Sequence, residues 1–195
     1  HVKVYDPAAD AQRKIEEVLA NARASLPKLS DVSLPKEGQL TFCDNLEVAV
    51  ADAHWIQESV PERLDIKLST LAAIQAACSH KAIIGSSTSG FKPSELQQGA
   101  ERPAQIMVAH PFNPVYLLPL VELVPSKLTN TALLSQAKDL LTSIGMKPLI
   151  VRKEIDAHIA DRLLEAVWRE GLWLINDGVA TTEEIDDAIR YGFGL

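Results

Sequence analysis

The sequence lacks several features that metal-binding, disulfide-rich, membrane and nucleic-acid-binding proteins depend on. Its two cysteines, Cys43 and Cys78, have neither metal-site nor disulfide-framework spacing, which is typical of a reduced cytosolic protein. No apolar run approaches the roughly 20 residues of a membrane-spanning helix, and no signal-peptide pattern opens the chain. A formal charge of −7 without a Lys/Arg cluster argues against nucleic acid. We therefore expect a cytoplasmic protein that binds no metal, membrane or nucleic acid.

What is present is the ordinary composition of a soluble globular protein. The 195 residues are 47% hydrophobic and 23% charged, enough for one α/β domain and a small appendage. Apolar strand patterns alternate with helical ones. The predicted strands lie at 2–6, 40–43, 54–58, 82–85, 105–109, 118–124 and 147–151, and the predicted helices at 8–25, after Asn45, and at 61–78, 130–143 and 157–175.

This alternation predicts a Rossmann-type dinucleotide-binding domain over 1–152, followed over 153–195 by the start of an all-α domain. The Gly-rich turn that opens such domains, with its strand, is absent from the sequence. We expect it upstream, and we interpret the chain as an interior fragment of a longer protein. Asp6 follows the first strand, at the place where dinucleotide-binding folds have an acid for the adenosine ribose. An Asp there favours NAD over NADP, although a strand followed by Asp-Pro is also ordinary turn chemistry.

The segment 109–125 has the strongest chemical pattern. His110 is bracketed by Pro111 and Pro114, which restrict the backbone around His110 and Asn113. Glu122 lies in an apolar strand, where a carboxylate faces solvent or needs a partner. A Glu paired with this His would orient the imidazole for proton transfer near neutral pH. On residue types alone, an unrelated surface Glu and end-of-strand His is an equally open alternative.

The run His-Pro-Phe-Asn-Pro followed by Leu-Val-Glu (110–122) resembles the catalytic segment of the 3-hydroxyacyl-CoA dehydrogenase superfamily. Further resemblance lies in Ser-Ser-Thr-Ser-Gly (86–90), Ile-Ala-Asp-Arg-Leu-Leu-Glu-Ala (159–166) and Asn-Asp-Gly-Val-Ala-Thr-Thr (176–182). It implies that His110 is the general base, that Glu122 pairs with it and that Asn113 lies by the nicotinamide of NAD. It also implies a homodimer formed through the helical domain.

The same resemblance assigns further residues to the cofactor and the substrate. Ser59, Glu62 and Lys67 fall where family members line the nicotinamide half of the cofactor; for the latter two, a solvated first helical turn is the alternative. Ser89 takes the place of the serine that binds the substrate hydroxyl, with an ordinary Ser/Thr-rich turn as the alternative. Asp161 stands where acyl-CoA enzymes generally have Asn, and can face a cation.

These features resemble the branch of the family that oxidises the 3-hydroxyl of L-carnitine, a small quaternary ammonium. The same chemistry on a 3-hydroxyacyl-CoA is the alternative. Ser87, where that group usually has Asn, and Asp161 count against it. A third hypothesis is a structural or sensing protein that binds NAD without turnover, and the presence of His110, Asn113 and Glu122 together counts against that.

Overall fold

Strands and helices alternate through the computed structural model, which describes residues 1–29 and 31–194. The strands of these residues are β1 Val2–Val4, β2 Leu40–Phe42, β3 Trp55–Glu58, β4 Ile83–Ser86, β5 Ile106–Pro111, β6 Leu120–Val124 and β7 Lys147–Ile150. The α-helices are α1 Ala11–Ser25, α2 Leu46–Val50, α3 Leu64–Ala77, α4 Pro93–Leu96, α5 Thr131–Ser143, α6 Ala160–Asn176 and α7 Thr182–Ala188.

The strands form two sheets. β1 and β2 pair in parallel, and the other five follow the order β3-β4-β5-β6-β7. Within the larger sheet only the β5–β6 pair is antiparallel. Parallel strands separated by helices confirm the predicted α/β, Rossmann-type class; in the described residues no strand joins the two sheets.

One face of the five-stranded sheet packs against α5. Alternate strand residues point to the same face, which gathers Ile83, Met107, Ala109, Val121 and Leu123 against the helix residues Ala137 and Leu141. Burying each large aliphatic side chain contributes about 1.5–3 kcal/mol. Gly85 has a packing role here, because a Cβ at this position would lie 2.7 Å from the Ala109 Cβ and 2.9 Å from the Trp55 ring.

The opposite face carries the polar groups of the site. The register pairs Glu58 with Ser86 and Ser86 with Val108, and His110 lies two residues beyond Val108, so all of these share one face. Glu58, Ser86 and His110 stand at the carboxyl ends of three neighbouring parallel strands. Ligands bind at that edge of an open α/β sheet.

Local residues explain where several helices begin or end. The Asn45 side chain accepts from Val48 N at 2.9 Å and caps α2. Thr181 and Glu184 form the capping box of α7. Gly178, at φ +68°, follows the C-terminus of α6.

Two predicted helix starts are wrong. The α3 helix begins at Leu64 rather than at residue 61, because Arg63 before it is extended and Pro61 lies in the preceding turn. The α6 helix begins at Ala160 rather than at residue 157. Ala157 and His158 have φ values of +57° and +49°, left-handed conformations that cannot continue into a right-handed helix.

The chain divides into two compact units, His1–Asp156 and Ala157–Leu195. The first unit contains both sheets. In its described part the second contains α6, α7 and a π-helical turn, Ile189–Phe193. Among the helices of the described ranges, none is both long enough and apolar enough to cross a membrane.

Candidate functional site

His110 and Glu122 form a buried pair across the antiparallel strands β5 and β6. The register places the two residues directly opposite each other, so their side chains leave the sheet on the same face. His110 Nδ1 lies 3.1 Å from Glu122 Oε2. Glu122 is completely buried and His110 is 6% exposed. The expected contact between the two side chains is therefore confirmed, and the alternative of an unrelated surface Glu is wrong.

The geometry of this pair suits proton transfer. A carboxylate at Nδ1 favours the tautomer in which Nδ1 carries the hydrogen, which makes Nε2 the basic nitrogen. The Phe112 ring meets the imidazole edge-on, with 5.3 Å between the ring centroids, and restricts its rotation. The pair can accept a proton at one defined atom.

The loop between β5 and β6 carries Asn113. Pro111 is the last residue of β5, and the amides of Leu117 and Leu118 both donate to the carbonyl of Pro114, at 2.9 and 3.0 Å. These bonds close the loop into a turn. Asn113 is exposed on it, three residues beyond His110.

A second buried carboxylate, Glu58, ends β3 on the same face of the sheet. It accepts hydrogen bonds from Val60 N at 2.7 Å, Lys67 Nζ at 3.1 Å and the Ser86 hydroxyl at 2.5 Å. Its side chain is fully buried, and that of Lys67 is 1% exposed. Glu58 was not among the residues predicted from the sequence; the available signal was a carboxylate at the end of a predicted strand, on the ligand edge of the sheet.

Glu62 extends this network to the loop after β4. Its Oε2 lies 3.2 Å from Lys67 Nζ, and its Oε1 accepts from the Thr88 hydroxyl and, at 3.1 Å, from Gly90 N. The alternative of a solvated helical turn is therefore wrong for Lys67. Glu62 keeps 46% of its side chain exposed, so it remains accessible at the edge of the sheet.

The network changes the titration of Glu62. Burial raises the pKa of its carboxyl, but the hydrogen bonds from Thr88 and Gly90 and the charge of Lys67 outweigh this, and the pKa lies below its usual value of 4.5. A carboxyl whose pKa is lowered on folding stabilises the fold above its unfolded pKa, and this contribution disappears as the pH falls through the folded pKa.

We expect Glu62→Gln to reduce the free energy of unfolding at neutral pH, and the difference from wild type to shrink as the pH falls below about 4.5. Urea unfolding over a pH series measures this. Glu16→Gln, which removes an exposed carboxylate of α1, controls for the change in net charge. A Glu62→Gln difference that is constant from neutral to acid pH would contradict the assignment.

Hydroxyl groups gather on the other side of the same edge. Ser59 Oγ lies 2.7 Å from Ser87 Oγ, and Gln57 Nε2 donates to Ser87 Oγ at 2.8 Å and to the carbonyl of Ala109 at 2.9 Å. Gln57 thus spans β4 and fixes the backbone just before His110, a role that was not predicted from the sequence. Ser89 is exposed on the loop that Glu62 holds.

The remaining predicted residues lie outside this cluster. Asp6 is exposed just beyond β1, and its Oδ1 accepts from Ala8 N at 2.8 Å. This is the turn-forming hydrogen bond expected if Asp6-Pro7 is an ordinary turn, the alternative to a ribose-binding acid. Asp161 lies in the first turn of α6, in the second unit. In the described parts of the chain, no group of three or more His, Cys, Asp or Glu residues is arranged to hold a metal.

Both parts of the chain match models of one protein family. Residues 1–155 match the model described as 3-hydroxyacyl-CoA dehydrogenase, NAD binding domain. Residues 158–195 match the model described as 3-hydroxyacyl-CoA dehydrogenase, C-terminal domain.

Curated relatives share high identity over the whole chain. The chain is 65% identical over 194 residues to the L-carnitine dehydrogenase/betainyl-CoA thioesterase of Ruegeria pomeroyi. The matched region covers 100% of this chain and 40% of that protein. It is 54% identical over 195 residues to the L-carnitine dehydrogenase of Mesorhizobium japonicum, with 100% and 54% covered. The chain therefore spans about half the length of these relatives or less.

Solved structures share the fold. A 5-formyl-3-hydroxy-2-methylpyridine 4-carboxylic acid 5-dehydrogenase, an NAD+-dependent dismutase, superposes with a TM-score of 0.90 at 30% identity over 100% of this chain and 63% of that one. The 3-hydroxybutyryl-CoA dehydrogenase of Escherichia coli K12 superposes with a TM-score of 0.83 at 24% identity, over 97% of this chain and 40% of that one.

Proposed function

Since this chain belongs to the 3-hydroxyacyl-CoA dehydrogenase family, we propose that its protein oxidises the 3-hydroxyl of L-carnitine to a ketone with NAD as the hydride acceptor. The observation that carries the proposal is the buried His110–Glu122 pair at the ligand edge of the sheet. The names of the relatives support carnitine as the substrate, and the match to an NAD binding domain supports the cofactor.

His110 is the general base of the proposed reaction. The substrate's hydroxyl proton passes to Nε2 as the C3 hydrogen leaves with its electron pair, and the C–O bond becomes a carbonyl. NAD supplies the acceptor for that hydride when it is bound. Glu122 keeps the imidazole oriented and stabilises the cation that forms. General-base catalysis of this kind contributes about 10²–10⁴-fold.

The proposed cofactor residues lie in two parts of the first unit, after β1 and at the ligand edge of the larger sheet. Asp6 stands exposed after β1, where an acid can accept the ribose hydroxyls. Ser59, Glu62 and Asn113 lie at or beyond the carboxyl ends of β3 and β5 and are exposed. Lys67 is enclosed by protein oxygens, so its positive charge would act on the nicotinamide side through Glu62.

Ser89 and Asp161 are the proposed substrate residues. The Ser89 hydroxyl would hydrogen-bond the reacting oxygen, and the Asp161 carboxylate would face the quaternary ammonium. We also propose that the second unit takes part in forming a homodimer. A 3-hydroxyacyl-CoA is the second candidate substrate, favoured by the description of the family model; a protein that binds NAD without turnover would have little use for the His110–Glu122 pair.

A substrate panel on the full-length protein tests the proposal. Purified protein is supplied with NAD and either L-carnitine, 3-hydroxybutyryl-CoA or uncharged 3-hydroxybutyrate, and NADH absorbance is followed. We expect the highest kcat/KM with L-carnitine. A higher kcat/KM with the acyl-CoA would move the assignment to the second candidate, and no NADH from any of the three would favour the protein without turnover.

A further inference from the structure

The network around Glu58 combines a high desolvation cost with a position beside the site. Two carboxylates and one ammonium, those of Glu58, Glu62 and Lys67, meet within 3.2 Å, and two of the three side chains are essentially inaccessible to solvent. Desolvation offsets much of the attraction within a buried ion pair. Apolar side chains of similar volume often stabilise a fold equally well. The presence of this buried network is therefore weak evidence for a purely stabilising role.

The hydrogen bonds of Glu58 join four separate pieces of backbone. One oxygen accepts from Val60 N, in the turn that carries Ser59. The other accepts from the hydroxyl of Ser86, the last residue of β4. Lys67 of α3 lies between Glu58 and Glu62 and also donates to the carbonyl of Val60 at 3.2 Å. The carboxylate is thus the common point of β3, the turn after it, α3 and β4.

The same network determines where the loop 87–90 lies. Ser86 is bonded to Glu58 at the start of this loop, and Glu62 binds Thr88 and Gly90 further along it. Ser89 lies between Thr88 and Gly90, the two residues that Glu62 binds. Ser86 and His110 lie at the carboxyl ends of neighbouring strands, on one face of the sheet. Movement of the loop would therefore change the position of Ser89 at the edge where His110 stands.

We propose that Glu58 is a positioning residue, which fixes the turn 59–62 and the loop 87–90 at the ligand edge of the sheet. This rests on the proposed function for the roles of Ser59, Glu62 and Ser89. Glu58 touches neither substrate nor cofactor in this account; it acts through Val60, Lys67 and Ser86. A displacement of about 1 Å in a reacting group can cost about 10²-fold in rate.

Two variants and a matched control test this in the full-length protein. Glu58→Gln keeps the shape of the side chain and removes its charge, and Ser86→Ala removes a single hydroxyl donor, so it serves if Glu58→Gln fails to fold. Gln105→Ala is the control. Gln105 is also buried and donates to the carbonyls of Ser79 and Ala82, but it lies at the amino end of β5.

We expect both network variants to lower kcat/KM by about 10- to 100-fold, with faster hydrogen exchange at the amides of Val60 and Gly90 and unchanged exchange in β5 and β6. Gln105→Ala should lower the unfolding midpoint without lowering kcat/KM and without faster exchange at Val60 and Gly90. If Ser86→Ala and Glu58→Gln lose only stability, with wild-type kinetics and wild-type exchange at Val60 and Gly90, the proposal is overturned.

The exchange measurement separates this proposal from the proposed function. If wild type oxidises none of the panel substrates, the proposed function fails, whereas Val60 and Gly90 still report whether Glu58 holds these segments. Faster exchange confined to the two segments then supports the positioning role, and unchanged exchange there excludes it.

Discussion

Replacing His110 with Gln should lower kcat on L-carnitine by about 10²–10⁴-fold while the dissociation constant of NAD changes less than a fewfold. The Gln side chain still offers an N–H group to Glu122 but has no basic nitrogen to take the hydroxyl proton. This substitution is preferable to Ala, because a completely buried carboxylate that loses a hydrogen-bond donor costs about 1–3 kcal/mol of stability. Steady-state kinetics with calorimetric NAD titration measures both quantities.

The control for this experiment is His80→Gln, which makes the same change at an exposed histidine before β4. Its kcat should match wild type. The kcat of Glu122→Gln should lie between those of wild type and His110→Gln, because the imidazole keeps its proton-accepting atom but loses its charged partner. If His110→Gln turns over carnitine at close to the wild-type rate, the proposed base is wrong.

Asp161→Asn should have the second largest effect, and it should depend on the substrate. Two unit charges about 4 Å apart at an effective dielectric constant near 20 attract by ~4 kcal/mol before desolvation is subtracted. A net contribution of about 1–3 kcal/mol corresponds to roughly 5- to 150-fold in kcat/KM. We expect that loss on L-carnitine and a much smaller loss on uncharged 3-hydroxybutyrate.

Comparing the two substrates separates this charge contact from other roles of Asp161. Glu165→Gln, which neutralises an exposed acid on the same helix, should leave both substrates at wild-type kcat/KM. Equal losses on the charged and the uncharged substrate would mean that Asp161 serves the hydroxyl or the fold. The preference for carnitine would then need another source.

The residue pattern alone left the His110–Glu122 contact and an unrelated pair of residues as equal alternatives, and the family resemblance favoured the contact. An apolar strand that ends in His-Pro, followed by an apolar strand with one carboxylate, leaves few ways to satisfy the buried charge. The order of strands and helices follows from the same apolar patterns. The helix caps at Asn45 and Thr181 are likewise set by residues within a few positions of each other.

The network around Glu58 was not predictable in this way. Its bonds join residues separated by up to 28 positions, and they depend on how α3 lies against the sheet. That packing turns Lys67 inward, although its place near the start of a helix indicated a solvated side chain. The left-handed residues Ala157 and His158 are a similar case, because positive φ is uncommon for any residue other than glycine and an alanine gives no sign of it.

The most direct test of the central claim is a transfer experiment with L-carnitine carrying deuterium at C3. The full-length protein is incubated with this substrate and NAD, and the cofactor and organic product are analysed by mass spectrometry. The account predicts one deuterium in the reduced cofactor for each molecule of carnitine converted to the 3-ketone. Two results would contradict the account. In the first, carnitine is converted but its deuterium is released to water. In the second, the labelled carnitine stays unchanged while the same preparation oxidises a 3-hydroxyacyl-CoA.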